Sequence, residues 1–230
     1  MSACFLHRIG SQVVRVMLAG ESQITRYRGA RRWSVPISAA RISFLSGGIV
    51  NVPAFYVMAA PEIKSIRGSE RRDRRRHPFR LFFDFAMRYV LQKHGLRPEK
   101  DVTLLQLGGM IELATALSKR LDRGGDASSP ADLRARKSGA QELVNMATTG
   151  VSFPQSAIVT TSILRTGAPG RCFELSPRLR GRNAKNDDGQ NDGKKVIEKY
   201  TRESDPEILE STYRYGVDYI APIPYPAKEG

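Results

Sequence analysis

Residues 84–121 read DFAMRYVLQKHGLRPEKDVTLLQLGGMIELATALSKRL. The order is helix, turn, strand, Gly-Gly turn, helix. Asp84 is a residue type that caps a helix start, because its carboxylate can accept the orphan backbone N–H groups. Gly95 suits the left-handed position that closes a helix. Phe85, Tyr89 and the pair Leu91-Gln92 supply the expected apolar face. Residues 102–107, VTLLQL, read as a central strand. Gly108-Gly109 then turns into a second helix with Ile111, Leu113, Ala114 and Leu117 inside. Helices alternating with buried strands make an α/β fold, in which ligands meet the loops at strand ends.

The neighbouring segments continue the pattern. Residues 48–66, GIVNVPAFYVMAAPEIKSI, read as a buried strand, a turn at Asn51-Val52-Pro53, a second strand and an exit at Pro61. Residues 11–24 predict a short amphipathic helix ending near Gly20. On the other side, Ser129-Pro130 predicts a short helix with Ser129 as its cap, closed by Gly139. Residues 141–147 and 157–161 read as strands around the loop 150–156. Asp205-Pro206-Glu207 starts a last helix, with Ile208, Leu209, Tyr213 and Val217 following. The acids Glu203, Asp205, Glu207 and Glu210 suit the positive end of that helix better than paired acid–base chemistry.

The net charge of the 230 residues is +14, which would ordinarily point to nucleic acid or an anionic membrane. Its distribution says otherwise. Windows 26–41, 67–80 and 165–185 hold 18 of the 37 Lys+Arg and only three acids, Glu70, Asp73 and Glu174. The rest of the chain carries 19 basic and 20 acidic residues and is nearly neutral. All the excess charge therefore lies where hydrophobic patterning is poorest. No helix-turn-helix, zinc spacing or aromatic stacking platform accompanies it, so nucleic acid is not the expected partner.

Cys4 and Cys172 make no disulfide framework and leave a single bridge between them open. His7, His77 and His94 are isolated and form no metal or catalytic spacing, so neither cofactor nor metal is expected. No apolar run approaches the roughly 18 residues of a membrane span. No signal peptide is visible at Met1, which would leave the product in the cytoplasm if translated as given.

Taken together, segments 48–66, 84–119, 128–161 and 194–230 resemble the substrate-binding proteins of bacterial ABC importers. The branch is the nitrate, aliphatic-sulfonate and taurine type, whose fold is shared by the thiamine-pyrimidine synthases. No one segment is diagnostic, and the resemblance lies in the order and spacing of all four. It implies an α/β, bilobed type II periplasmic-binding-protein-like fold, here incomplete and partly scrambled. Lobe 1 would be discontinuous, 1–66 with 156–230, and lobe 2 would be 67–155, with 67–83 and 165–193 irregular. The resemblance further implies a monomer that performs no chemistry, closes over a small, anionic solute, and delivers it to an inner-membrane permease from the periplasm. Candidate ligand residues are then Asn51, Gly108, Gly109, Met110, Ser128 and Ser129, all at strand-end turns. An enzyme of the thiamine-pyrimidine branch is the alternative, but the cysteine-rich segment that it needs is missing. The third reading is the basic nucleic-acid binder.

The chain departs from this family after Ile66. A strand and a Gly-Ser turn that offers donors to the ligand's anionic end are expected there, and the text is instead RGSERRDRRRHPFRLFF over residues 67–83. Residues 75–83 can be encoded by CGC CGT CAC CCG TTT CGG CTC TTC TTC. One base later those bases read Ala-Val-Thr-Arg-Phe-Gly-Ser-Ser, a strand and a Gly-Ser turn. Residues 32–44 can likewise hide a helix and buried strand. Residues 183–193 can hide Thr-Gln-Arg-Met-Met-Thr-Gly-Lys-Thr-Met-Ala, an amphipathic helix leading into Lys194. Compensating frameshifts would explain all three windows, whether they arose by gene decay or by a sequencing error.

Overall fold

The computed structural model describes residues 16–17, 19–21, 24–28, 42–69, 79–81, 84–106, 123–153, 155–161 and 187–221. Its strands are β1 (Ile24–Arg28), β2 (Ile42–Val50), β3 (Tyr56–Ala59), β4 (Phe79–Leu81), β5 (Leu104–Gln106), β6 (Gly124–Ala127), β7 (Gln141–Asn145) and β8 (Ser156–Thr161). The helices are α1 (Asp84–Lys93), α2 (Ala131–Lys137), α3 (Asp187–Thr201) and α4 (Pro206–Tyr219). The chain divides into two compact units. One comprises Met1–Val52, Ser152–Lys185 and Tyr219–Gly230, and the other Pro53–Val151 and Asn186–Asp218. The expected division placed residues 53–66 and 186–218 with the first lobe. They fall in the second unit because β3 is an interior strand of its sheet and α3 and α4 belong with it.

In the first unit β8 is the middle strand, antiparallel to β1 on one side and β2 on the other. Val50, Ala157 and Val159 are buried there. β2 is irregular, with three register shifts along its pairing to β8. Gly20, at φ +75°, closes the short helical stretch at Val16-Met17. The expected helix through residue 24 ends before that, since Ile24 already begins β1.

The second unit holds a five-stranded sheet in the order β5-β4-β6-β3-β7. β4 runs parallel to β5 and β6, and β3 is antiparallel to β6 and β7. α1 makes the crossover from β4 to β5. Its end follows the sequence. Gly95 sits at φ +79°, and Leu96 N–H donates to Leu91 O at 2.9 Å, closing the helix as a left-handed cap does. Its apolar face does not. Ala86, Met87, Val90 and Leu91 are buried, Phe85 is 37% exposed and Gln92 is exposed. The stripe follows the i, i+1, i+4, i+5 spacing; Leu91 is buried as expected, while Ala86 and Val90 take the places expected of Phe85 and Tyr89. Asp84 is the first helical residue, and its carboxylate takes a 2.7 Å bond from Arg88 Nε.

Three further expectations are corrected. Segment 102–107 gives only the short β5, at one end of the sheet order among the described residues rather than at its centre. Residues 79–81, expected to be irregular, form the interior strand β4, because a ladder needs only backbone N–H and C=O groups. Residues 187–193, also expected to be irregular, are the first two turns of α3. Of the five glycines and two prolines in residues 167–193, only Gly189 and Gly193 fall within α3, and Lys194–Thr201 supplies a strong helical continuation.

The core around the candidate site is small and tight. Met58 of β3 is fully buried against Ala127, Ala131 and Ala135, with Tyr56 and Ala140 at its rim. Alanines on β6 and α2 let the helix lie close to the sheet. α4 is capped as the sequence implies: Asp205 Oδ1 accepts from Glu207 N–H at 2.9 Å, and Pro206 opens the helix.

Candidate ligand-binding site at the strand ends of the second unit

Because β4, β5 and β6 are parallel, their carboxyl ends lie along one edge of the sheet. β4 leads to α1 at Asp84 and β6 leads to Ser128-Ser129 and α2. β3 runs the other way and brings its amino end to the same edge, and β7, antiparallel to β3, brings its carboxyl end there. Tyr56, the first residue of β3, is level with Ala127 at the end of β6 and with Asn145 at the end of β7. In open α/β sheets this is the edge at which ligands bind.

The turn after β6 is already committed internally. The carbonyl of the buried Ser128 accepts from Ala131 N–H at 2.8 Å and from Asp132 N–H at 3.3 Å. Those leading amides are therefore not open to an anion. Ser129 was expected to cap α2, but Pro130 occupies the cap position and no side chain caps the helix. The Ser129 hydroxyl instead meets the Thr212 hydroxyl of α4 at 3.0 Å. Three residues further on, Tyr215 donates its hydroxyl to Ala54 O at 2.5 Å, and its ring centroid lies 6.5 Å from that of Tyr56. One face of α4 thus reaches both Ser129 and the approach to β3.

The cations of α2 are engaged with acids. Arg134 pairs with Glu203, and Arg136 pairs with Glu142 while lying 5.6 Å over the Tyr56 ring. Lys137 binds Asp205 at 2.5 Å and Glu207 at 2.8 Å. The bond from Arg134, helped by the backbone amide of Asp205, holds the Glu203 carboxyl below its usual range. Asp132 differs. It is 5% exposed, its Oδ1 has no hydrogen-bond partner, and its Oδ2 is 3.9 Å from Arg136 Nε. Burial pushes its pKa up, Glu142 adds to the effect, and Arg136 and nearby backbone amides oppose it. Among the described residues no three His, Cys, Asp or Glu side chains could hold a metal, and no helix is long and apolar enough to cross a membrane.

No family model and no curated protein matches the sequence. Solved structures do match the fold. The alkanesulfonate-binding protein SsuA of Xanthomonas axonopodis pv. citri, bound to MOPS, is 13% identical, with a TM-score of 0.65 over 90% of this chain and 70% of that one. The periplasmic aliphatic sulphonate binding protein SsuA of Escherichia coli is 12% identical, with a TM-score of 0.57 over 93% and 71%. The chain has the fold of the periplasmic binding proteins. The periplasmic nitrate-binding protein NrtA of Synechocystis PCC 6803 shares it at 11% identity and a TM-score of 0.61, and there the match spans 90% of this chain but 58% of the other.

In this periplasmic-binding-protein fold the sequence-predicted residues separate. Ser128 and Ser129 stand on the strand-end edge of the second unit. Asn51 belongs to the first unit, where its carbonyl accepts from Phe153 N–H at 2.9 Å and its side chain lies over Gly48, leaving no room for a Cβ there. Gly108, Gly109 and Met110 lie outside the described residues. Thr212, Tyr215 and Tyr56 were not anticipated. The sequence held a signal for the first two: Ile208, Thr212 and Tyr215 follow i, i+4, i+7, so polar groups share a stripe with a buried isoleucine.

Proposed function

We propose that this chain is the solute-binding component of an ABC importer, or a degenerate remnant of one, which holds a small anionic solute without chemistry and works with an inner-membrane permease. The observation that supports the reading is the parallel set β5-β4-β6, with Ser128 and Ser129 at its strand-end edge, in a fold shared with sulfonate- and nitrate-binding proteins. The ligand set proposed is Ser128 and Ser129, with Asn51, Gly108, Gly109 and Met110 from the sequence pattern. Periplasmic localisation follows from the same reading.

Affinity should be weak. The Gly-Ser turn expected before α1 is replaced by His77-Pro78-Phe79-Arg80-Leu81, in which the proline has no N–H and no compact anion nest remains. β4 now occupies the place where the alternative frame puts that turn. Isothermal titration with propanesulfonate, taurine and nitrate, on this chain and on a restored-frame version, tests both points. The chain as it stands should bind no tighter than millimolar and the restored version should bind tighter. Micromolar binding by the unrepaired chain would show that other residues make the site. No binding by either version would remove the solute-binding reading.

A further inference from the structure

We infer that Thr212 of α4 is a ligand-binding residue, and that with Ser129 it forms a paired-hydroxyl site for one oxygen of an oxyanion. The inference rests on the solute-binding reading and adds to it a residue from the far end of the chain.

The geometry is a pair of half-buried hydroxyls 3.0 Å apart on the strand-end edge. Each hydroxyl has one proton and two lone pairs. Whichever of the two donates across the pair, the proton of the other remains. Neither hydroxyl makes another hydrogen bond among the described residues. A hydroxyl whose oxygen already accepts a bond is the more polarised donor, so the remaining proton suits a charged oxygen acceptor. Among the described residues, the donors of α2 are already engaged. The first amides of α2 bind Ser128 O, and Arg134, Arg136 and Lys137 bind Glu203, Glu142, Asp205 and Glu207. An anion arriving here therefore meets the hydroxyl pair before it meets a free cation of α2.

Thr212 is placed for this by helix phase. Ile208 buries one turn before it, and Asp205 fixes the start of α4, so position 212 falls on the stripe of α4 that meets Ser129. Valine has the shape of threonine without the donor, whereas serine keeps the donor and loses the methyl.

The test is an amide NMR titration of the full chain with propane-1-sulfonate, with propan-1-ol as the control that lacks the oxyanion. Parent, Thr212→Val, Thr212→Ser and Ser129→Ala forms are compared. Sulfonate, but not propanol, should shift the amides of Ser129 and Thr212. Thr212→Val should weaken sulfonate binding by roughly 3- to 10-fold, the worth of one hydrogen bond. Thr212→Ser should restore it, and Ser129→Ala should add little to Thr212→Val. A merely structural threonine would alter melting without changing the preference for sulfonate over propanol. Sulfonate binding that maps elsewhere, or that Thr212→Val leaves intact, overturns this assignment and spares the solute-binding reading. Absence of sulfonate binding by the parent overturns this assignment, and absence of binding by the restored-frame version as well removes the solute-binding reading.

Discussion

Gly193 of α3 lies directly against the Tyr213 ring of α4, and replacing that glycine should give a result whose sign depends on Tyr213. A Cβ on Gly193 would stand 2.7 Å from Tyr213 Cε2 and 3.0 Å from Cδ2. Two effects then oppose each other. Alanine inside a helix is favoured over glycine by about 1 kcal/mol. Forcing a methyl into a filled space costs about 1–3 kcal/mol. The ring is half-buried and can yield in part, so Gly193→Ala should destabilise by roughly 0–2 kcal/mol. In a Tyr213→Ala background the obstacle is gone, and the same change should stabilise by about 1 kcal/mol. The coupling between the two positions should then be about 1–3 kcal/mol. Urea unfolding of the four proteins gives the cycle, and hydrogen exchange of the α3 and α4 amides reports the hairpin by itself. Stabilisation by the same amount in both backgrounds would refute the close approach. The position also bears on the reading-frame question, because the alternative frame carries alanine at 193. A restored-frame chain can keep this hairpin only if Tyr213 moves.

Three other outcomes follow from the packing and charges. Met58→Ala should cost about 2–5 kcal/mol in urea unfolding, because Met58 is fully buried among three alanines that have no atoms to fill the space; a loss well under 1 kcal/mol would mean that α2 settles onto β3. Asp132→Asn should steepen nothing and remove a slope: burial raises the Asp132 pKa above 3.8, so the neutral acid is the form the fold prefers, and the stability it gives is present at low pH and lost as pH rises through the raised value. Melting points of the asparagine variant should therefore match the parent's near pH 4 and exceed them at pH 7, and a lower melting point at pH 7 would contradict the burial assignment. Glu210 behaves in the opposite sense, its pKa lowered to about 2 by hydrogen bonds from Lys194 and then Arg214. Its contribution is complete above the usual 4.5 and disappears as pH falls towards about 2, so Glu210→Gln should flatten the acid limb of a pH–melting profile over that interval.

What was legible in the sequence was governed by backbone chemistry. Gly95, Gly139 and Gly150 all sit at positive φ where helices or turns end, and Asp205-Pro206 starts α4, because these residues act through their own dihedrals and nearest amides. Strands whose side chains disagree with their position were not legible. β6 is GGDA, a poor strand by composition, yet all four residues are buried because the sheet closes over them on both sides. β1, Ile24–Arg28, lies where a helix was expected to end and an arginine-rich window to begin, and is a strand because β8 offers it a five-residue antiparallel ladder. The same tertiary effect turned α1 by one position: Phe85 looks like core and Ala86 does not, but only the stripe through Ala86, Met87, Val90 and Leu91 can meet the sheet as a unit.

The candidate site shows where such reading stops. Ser128 and Ser129 could be found from chain order alone, since a strand-end turn before a helix is a local pattern. Thr212 could not, because its link to Ser129 spans 83 residues. β4 poses the converse problem: Phe79-Arg80-Leu81 follows an arginine-rich window and is nonetheless an interior strand. Two accounts of it make different demands. If the frame is intact, Phe79–Leu81 is the native strand, and the sequence between it and α1 is Phe-Phe in place of small donors. If the frame is broken, the strand is held by pairing alone and the donors that belong there are gone. On the solute-binding reading proposed above, either account takes donors away from the segment before α1 and leaves more of the binding to the turn after β6 and to α4. That is why the contribution of Thr212 should be largest in the chain as it stands, and should shrink in a restored-frame version whose α1 turn supplies donors of its own.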